Sequence, residues 1–230
     1  MTPEILYAFH LQILRSTVPS HRVKSKNARR VLNALSGDFY GRNSSGRESN
    51  LMVRRDFLQI QGVFYRSVLA TNVGAALDPP GPQSAGRYHR HGQPALYMSP
   101  FPEWSISAVS GYMREDGHAR VLIPISVTDA WVLDQRNEEI SRLLGINPQA
   151  SNGSWREAIG SGLVPGSWVN ADRARASGAD GIIDCSRNIP NGWHLCLFRW
   201  NEPETPQVKV CGDPIKVSLS WFHHRRRPVG

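Results

Sequence analysis

Hydrophobic and polar positions divide the chain into two parts of different texture. Before about residue 58 the apolar residues are scattered among serine, asparagine and basic residues, and only residues 3–15 and 27–35 have the spacing of short helices. From residue 62 onward, short apolar segments alternate with glycine and proline, which is typical of strands joined by turns. The pattern predicts strands at residues 63–70, 94–99, 120–127, 181–185, 194–199 and 208–210.

Between these strands lie segments with helical spacing or helix-start residues. They predict helices at residues 102–113, 135–144, 154–159 and 167–177, with Ser154 and Ser167 as N-caps. Strands and helices do not alternate as strictly as a doubly wound parallel sheet requires. We therefore expect an α+β fold, with a mixed or antiparallel twisted sheet as the core, flanking helices, and a basic N-terminal helical arm. The expected boundaries are 1–58 for the arm and 59–230 for the domain.

The charge of the chain is basic and unevenly distributed. Lys and Arg number 27 against 19 Asp and Glu, a net charge of +8, and basic residues are concentrated in segment 15–55 and in the run 223–227. Such a balance favours an acidic partner, which can be a nucleotide, a nucleic acid or an acidic protein. The arm itself is open to two interpretations, a solvated basic extension or a surface that binds nucleic acid or a partner.

Composition also argues against several classes of protein. The apolar runs are too short to cross a bilayer, so no membrane association is expected. The first residues lack the features of a secretory signal, so we expect a cytoplasmic protein or one exported by a signal-less route. Three widely spaced cysteines, Cys185, Cys196 and Cys211, argue against a disulfide framework or a zinc knuckle, and no metal is expected.

A cationic segment leading into a strand is the first candidate for chemistry. It runs from Gly86 through Arg87 and Tyr88 to a strand that contains Tyr97. The planar guanidinium of Arg87 can bind a phosphate while the phenol of Tyr97 contacts a sugar or base. A solvated basic turn before an ordinary strand explains the segment equally well. Because GxGxxG and Walker sequences are absent, a nucleotide would need a cradle of another kind.

Two further segments place polar groups at the ends of elements. Glu103 stands in the first turn of a predicted helix, where its charge suits the helix dipole. Ser186 follows the short strand 181–185, where it can contact a ligand in a cleft or simply form a turn. No GxSxG elbow is present and no His/Asp partner set can be assigned, which argues against an acyl-transfer nucleophile.

Taken together and in order, these segments resemble the RES domain, which is named for an arginine, a glutamate and a serine. The similarity covers roughly residues 63–210, and its combination of blocks is more specific than any block alone. The blocks are Phe64-Tyr65-Arg66, Gly86-Arg87-Tyr88, Gly92-Gln93-Pro94-Ala95-Leu96-Tyr97-Met98-Ser99, Trp168 with Gly178 to Ser186, and Leu195-Cys196-Leu197-Phe198.

The resemblance implies a fold related to ADP-ribosyltransferase toxins, with NAD as the substrate and the bond between nicotinamide and ribose as the bond cleaved. By that resemblance Arg87 would hold phosphate, Tyr97 would line the ribose pocket and Ser186 would bind the substrate, while Arg66 and Tyr88 are further candidates for binding NAD. Such a cleavage needs a cation for the diphosphate and a carboxylate that stabilises positive charge on the ribose or activates the acceptor.

The carboxylate is the departure from the family's pattern, because Ala108 stands where the glutamate is expected. Alanine can neither stabilise a cation nor activate a nucleophile, and the loss of such a group slows catalysis by roughly 100-fold to 10,000-fold. Either the glutamate was deliberately replaced, or the protein has naturally become a binding protein or moved the role to Glu103.

Several functions therefore compete. By the resemblance, the leading one is a toxin that cleaves NAD as a glycohydrolase or phosphorylase. The second is transfer of ADP-ribose to a protein. The third is a non-catalytic basic protein on the same fold that binds nucleic acid or a partner through the arm and the tail. An Xre-type antitoxin or an immunity protein is the expected inhibitor by resemblance.

Overall fold

The structure, a computed structural model, describes residues 56–217. The arm assigned to residues 1–58 and the basic run 223–227 therefore lie almost wholly outside the described residues, and their role and boundaries stay predictions. Within 56–217, seven strands and four α-helices follow one another along the chain. The strands are β1 (Leu58–Leu69), β2 (Leu96–Met98), β3 (Arg120–Asp134), β4 (Gly181–Cys185), β5 (Trp193–Leu197), β6 (Gln207–Val210) and β7 (Ile215–Lys216).

The helices lie between the strands much as their sequence signals predict. They are α1 (Pro102–Asp116), α2 (Glu138–Leu143), α3 (Trp155–Gly160) and α4 (Gly166–Ala176), with 3-10 turns at Ala70–Ala75 and Pro148–Ser151. The side chain of Ser154 accepts a hydrogen bond from the Glu157 amide, so that predicted N-cap is confirmed. The N-cap at Ser167 is wrong, because the helix begins earlier, after Pro165, and Ser167 is buried inside it.

The sheet is mixed, as expected for an α+β fold. Its strand order is β1-β3-β4-β5-β2, and β6 and β7 also pair with β3. The β3–β4 pair is parallel, while every other pair is antiparallel. Tyr65 and Ser99 exchange two backbone hydrogen bonds of 2.8 and 2.9 Å, so the chain just after β2 returns to β1 and the sheet curls toward closure.

Two apolar clusters pack on the two sides of this curled sheet. One contains alternate residues of the strands, among them Phe64, Ile123, Ile183 and Leu195. The other packs the opposite face against helix α4 through Ile182, Cys196 and the alanines of the helix. Since side chains alternate along a strand, neighbours such as Ile182 and Ile183 contribute to different clusters.

Strand β3 is longer than predicted and explains much of the architecture. The predicted strand ends at Val127, and Asp129 just beyond it has a positive φ of 55°. The strand nevertheless continues to Asp134, because Val132 and Leu133 pair with β4 and are completely buried. A fully buried strand needs no alternation of apolar and polar residues, so this continuation left no clear signal in the sequence.

Candidate functional site

A cavity of about 370 Å³ lies where β2 and β4 end. Four segments that are far apart in the sequence form its walls: the loop before β2, helix α1, the start of α3 and the loop after β4. The cavity brings together four residues that the sequence singles out, Arg87, Tyr97, Ala108 and Ser186.

Helix α1 presents one face to this cavity. Ser105, Ala108 and Tyr112 all line it, at the i, i+3 and i+7 spacing of a single helical face. A side chain longer than alanine at residue 108 would therefore extend into the cavity. Glu103 is exposed in the first turn, does not line the cavity, and lies five residues from Ala108, which is about 140° around a helix.

Arg87 is held in the cavity wall by one ion pair and one hydrogen bond. Its Nε lies 3.3 Å from Oδ2 of Asp184, and the two side chains are only 14% and 10% exposed. Its Nη2 donates to the backbone carbonyl of Ser151. The guanidinium is thus oriented before any ligand arrives, but part of its charge is already balanced by a carboxylate.

A buried polar network fixes the segment that carries this carbonyl. Ser151 donates its hydroxyl to Oε1 of Gln135 at 3.0 Å, and the Asn170 amide donates to the same oxygen at 3.1 Å. The Gln135 amide in turn donates to the Tyr88 hydroxyl at 3.2 Å. Since buried polar groups are costly when they lack hydrogen-bond partners, this network holds the Ser151 carbonyl in place beside Arg87.

Tyr97 is fixed by the loop that precedes its strand. Its hydroxyl oxygen accepts the Tyr88 backbone N–H at 2.9 Å and lies 2.9 Å from Nδ1 of His89. Burial raises the pKa of Tyr97 well above its usual value, so the phenol stays neutral. Gly86 makes this contact possible, because a Cβ there would lie 2.7 Å from His89 Nδ1 and 3.0 Å from the Tyr97 hydroxyl.

Helix α4 anchors the same loop from the other side. Trp168 donates its indole N–H to the Gly86 carbonyl at 2.7 Å, and Arg175 donates to the Tyr88 carbonyl at 2.9 Å. Outside the cavity, Arg90 pairs with Asp172 of the helix at 2.5 Å. The cationic segment is therefore held against helix α4 by hydrogen bonds and an ion pair, and it is not a solvated turn.

Ser186 lines the cavity and also shapes the turn that carries it. Its hydroxyl oxygen accepts the Asn188 backbone N–H at 3.3 Å, and the Asn188 side chain donates to the Ser107 carbonyl of α1 at 3.1 Å. Both interpretations of the serine, ligand contact and turn formation, are compatible with this geometry.

A row of three polar residues crosses the cavity floor. Asp184 of β4 stands directly opposite His194 of β5, and Nδ1 of His194 lies 2.8 Å from the hydroxyl of Ser99, just after β2. All three line the cavity. Burial, reinforced by the cations Arg87 and Arg187, lowers the pKa of His194 to about 4, so its imidazole is neutral at pH 7.

The charge of the cavity is positive. Arg87, Arg156 and Arg187 line it, against the single carboxylate of Asp184 among the described residues. Burial and then the proximity of Arg87 lower the pKa of Arg187, as expected where cations are crowded. A concave site of this charge favours an anionic ligand.

A second, more open cavity of about 540 Å³ adjoins the first and shares Ala108, Tyr112 and Arg156 with it. Arg156 lies over the Tyr112 ring at 4.5 Å, and its Nη1 is 3.7 Å from Glu115. Arg114 and Arg187 also line this groove, which is therefore a basic extension of the first cavity.

The model of the RES domain matches residues 64–221, more than half of the chain. The chain belongs to the RES family. The family match starts inside β1 and includes the whole cavity, so the predicted resemblance is confirmed. None of the curated proteins matches the chain.

Among solved structures, this RES domain is similar to the toxin MbcT in the crystal structure of the M. tuberculosis MbcT–MbcA toxin–antitoxin complex. The TM-score is 0.52 at 16% sequence identity, and the likeness covers 78% of this chain and 97% of that chain. At this identity the likeness is one of fold, and it agrees with the α+β arrangement of sheet and helices.

The remaining predicted residues of the RES domain are placed differently. Tyr88 lines the cavity but is only 2% exposed, with most of its ring inside the cluster against α4. Arg66 is not among the lining residues. Its Nη1 is buried without a hydrogen-bond partner, and burial lowers its pKa.

Sequence reasoning missed Asp184 and His194 as site residues. The one available signal was a carboxylate inside the otherwise apolar strand Gly181–Cys185, where a buried charge needs a partner.

No helix among residues 56–217 is long and apolar enough to cross a membrane.

Proposed function

We propose that this chain is a toxin of the NAD-degrading RES type, which binds NAD in the cavity between helix α1 and the end of β4. The observation that carries the proposal is the convergence of Arg87, Tyr97, residue 108 and Ser186 on one cavity in a chain of the RES family. In the sequence these residues are separated by up to about a hundred positions, so only the fold brings them together.

The chemistry of the cavity suits each part of NAD. Arg87 and Arg187 offer guanidinium donors to the diphosphate, and the surrounding positive charge favours its binding. Tyr97, held in place by Tyr88 and His89, can line the ribose pocket. The Ser186 hydroxyl can bind a ribose oxygen at the mouth of the turn.

Position 108 determines how fast bound NAD is cleaved. Breaking the bond to nicotinamide leaves positive charge on the ribose, and a carboxylate from helix α1 would stabilise it. The methyl group of Ala108 cannot do so. We therefore propose that the chain binds NAD and that cleavage is roughly 100-fold to 10,000-fold faster in an Ala108→Glu variant.

The test measures NAD binding by calorimetry and nicotinamide release by chromatography, with and without inorganic phosphate. The chain, Ala108→Glu and Arg87→Ala are compared. Arg142→Ala is the matched control, since Arg142 is exposed at the end of α2 and does not line the cavity. We expect the chain to bind NAD, with weaker binding in Arg87→Ala and unchanged binding in Arg142→Ala. If Ala108→Glu neither binds NAD nor releases nicotinamide, the proposal is wrong.

Transfer of ADP-ribose to a protein is the second candidate. The open groove beside the cavity favours it, because the groove leaves room for an acceptor next to residue 108. The transfer would place label from the adenosine half of NAD on a protein. Label that remains only in free ADP-ribose or its phosphorylated form would argue for the first candidate instead.

An inhibitory partner is proposed on the same grounds. The similar fold of MbcT was solved in a toxin–antitoxin complex, so we propose an antitoxin or immunity protein for this chain. Such a partner would exclude NAD from the cavity. Competition between the purified partner and NAD, measured by calorimetry, would test this mode of inhibition.

A further inference from the structure

Carboxylates are scarce around the cavity, and only one of them is placed to act there. Among the described residues Asp184 is the carboxylate that lines it, since Glu103 points elsewhere and Glu115 lines only the adjoining groove. We propose that Asp184 is the carboxylate that stabilises the ribose cation in this chain, replacing the glutamate missing at residue 108. The inference rests on the proposed function, because it concerns how the same cavity would act on NAD.

The position of Asp184 is set by the sheet rather than by a flexible loop. It is the last residue but one of β4, directly opposite His194 of β5. Residues paired in this way have Cβ atoms about 4.5–5.5 Å apart and project from the same face of the sheet. The next contact in the row, from His194 to Ser99, spans 2.8 Å. The carboxylate therefore stands in a fixed row that faces the cavity.

Arg87 favours the anionic form of this carboxylate. Burial alone raises the pKa of Asp184, and Arg87, 3.3 Å away, opposes that effect. The Gln135 amide lies 3.5 Å from the other oxygen of the carboxyl group. When the diphosphate of NAD binds Arg87, the ion pair between Arg87 and Asp184 weakens. The negative charge of Asp184 then acts more strongly on the bound ribose.

The cleavage can be written with this one carboxylate. The bond between the nicotinamide nitrogen and the ribose carbon breaks, both electrons stay with the nitrogen, and neutral nicotinamide leaves. The positive charge that develops on the ribose is stabilised by the Asp184 anion. When water is the acceptor, its oxygen bonds to the ribose carbon and one of its protons passes to Asp184, which later releases it to solvent.

His194 is a positioning residue in this scheme. With a pKa near 4 it is neutral at pH 7, so it adds no positive charge beside Asp184. It is paired with Asp184 across the two strands, and its Nδ1 contacts the hydroxyl of Ser99. The positive charge next to Asp184 is then supplied by Arg87 and Arg187, the two residues that the diphosphate would engage.

The experiment uses the whole chain in four forms: the parent, Asp184→Asn, Ala108→Glu and the double variant. Nicotinamide release at saturating NAD is measured for each. We expect Asp184→Asn to slow release by about 100-fold in the parent but by less than tenfold in the Ala108→Glu background, where the new glutamate supplies the charge. Asp213→Asn, the same change at an exposed carboxylate outside the cavity, leaves the rate unchanged.

Two results would overturn the proposal. One is an equal loss in both backgrounds, which would mean that Asp184 only holds Arg87 in place. The other is a parent chain that releases no nicotinamide while Ala108→Glu does, which leaves the proposed function intact and removes the role of Asp184. An Ala108→Glu variant without NAD binding or turnover would instead refute the proposed function itself.

A second variant guards against misfolding. Asp184→Ala leaves space for a small carboxylate, and we expect added formate to raise its rate at least tenfold. Formate leaves the rate of Asp213→Ala, a variant at an exposed carboxylate outside the cavity, unchanged. Thermal unfolding of each variant reports whether it is folded. A folded Asp184→Ala variant with a reduced rate that formate does not restore would count against the proposal.

Discussion

The hydroxyl of Tyr97 and the backbone nitrogen of Tyr88 lie 2.9 Å apart, so a strand residue closes the loop that precedes its own strand. The same hydroxyl lies 2.9 Å from Nδ1 of His89. One oxygen atom therefore holds two residues of the segment that carries Arg87. The geometry of the cavity depends on this oxygen as much as on the residues that would contact a ligand.

Removing that oxygen should loosen both the loop and the cavity. In Tyr97→Phe the buried Tyr88 amide loses its acceptor, which costs about 1–3 kcal/mol of the free energy of unfolding. We also expect weaker NAD binding, because the loop no longer holds Arg87 in its place in the cavity wall. Urea denaturation and calorimetry measure the two effects. The control is Tyr65→Phe, whose hydroxyl makes no hydrogen bond within residues 56–217, and a loss no larger than that of this control would contradict the prediction.

Gly86 should not tolerate a side chain. In Gly86→Ala the new Cβ would lie 2.7 Å from His89 Nδ1 and 3.0 Å from the Tyr97 hydroxyl, so both rings must shift. We expect a loss of about 1–3 kcal/mol in stability, typical of an overpacked site, and weaker NAD binding. Gly81→Ala, in the same loop with no atom within 4 Å of the added carbon, is the matched control. Equal stability of the two variants would refute the prediction.

Removing one residue of the Arg87–Asp184 pair should destabilise the protein more than replacing both residues with apolar ones. Arg87→Leu leaves a buried carboxylate without its cation, which typically costs about 3–5 kcal/mol. Arg87→Leu combined with Asp184→Leu removes both charges and should recover most of that loss. Denaturation of the two single variants and the double variant measures the coupling. Additive losses would show that the two side chains do not depend on each other.

Stability should fall as the pH falls below neutrality. Burial lowers the pKa of both His89 and His194 from 6.5 to about 4, so between these values the unfolded chain binds more protons than the folded one. The free energy of unfolding therefore decreases from pH 6.5 toward pH 4. A fully buried histidine contributes up to about 1.4 kcal/mol per pH unit, and partial exposure reduces this for both residues.

His194→Asn isolates one part of this dependence. It keeps a polar group near Ser99 but cannot titrate, so urea denaturation at pH 7 and pH 5 should show a smaller difference than in the parent chain. Asp184, whose pKa is raised, acts in the opposite direction near its own pKa and is present in both proteins. His118→Asn, at an exposed histidine that does not affect the pKa of His89 or His194, is the control and should leave the difference unchanged.

Much of the fold could be predicted because its elements leave local signals. The strand Gly181–Cys185 was predicted with its observed bounds, since an apolar run between a glycine turn and a polar end is unambiguous. Helix α1 was predicted from Pro102, a proline that suits the first turn. The end of β3 was missed because its burial depends on β4, fifty residues later in the chain.

The site shows the same division. Arg87, Tyr97, residue 108 and Ser186 were proposed from segments of resemblance, and the fold does place them around one cavity. Asp184 and His194 could not be paired in advance, because their proximity follows from the register of β4 against β5. Arg66 shows the converse, since a residue at a suggestive place in the sequence is absent from the cavity lining.

Ser99 carries two unrelated duties within one residue. Its backbone exchanges both hydrogen bonds with Tyr65 where the sheet curls back on itself, and its hydroxyl contacts His194 in the cavity. The backbone that pairs the end of β2 with β1 and the hydroxyl that contacts His194 thus belong to a single residue. A substitution in β1 that shifts the pairing of Tyr65 with Ser99 would therefore move the Ser99 hydroxyl without replacing any residue that lines the cavity. Substitutions far from the cavity can alter its geometry in this way.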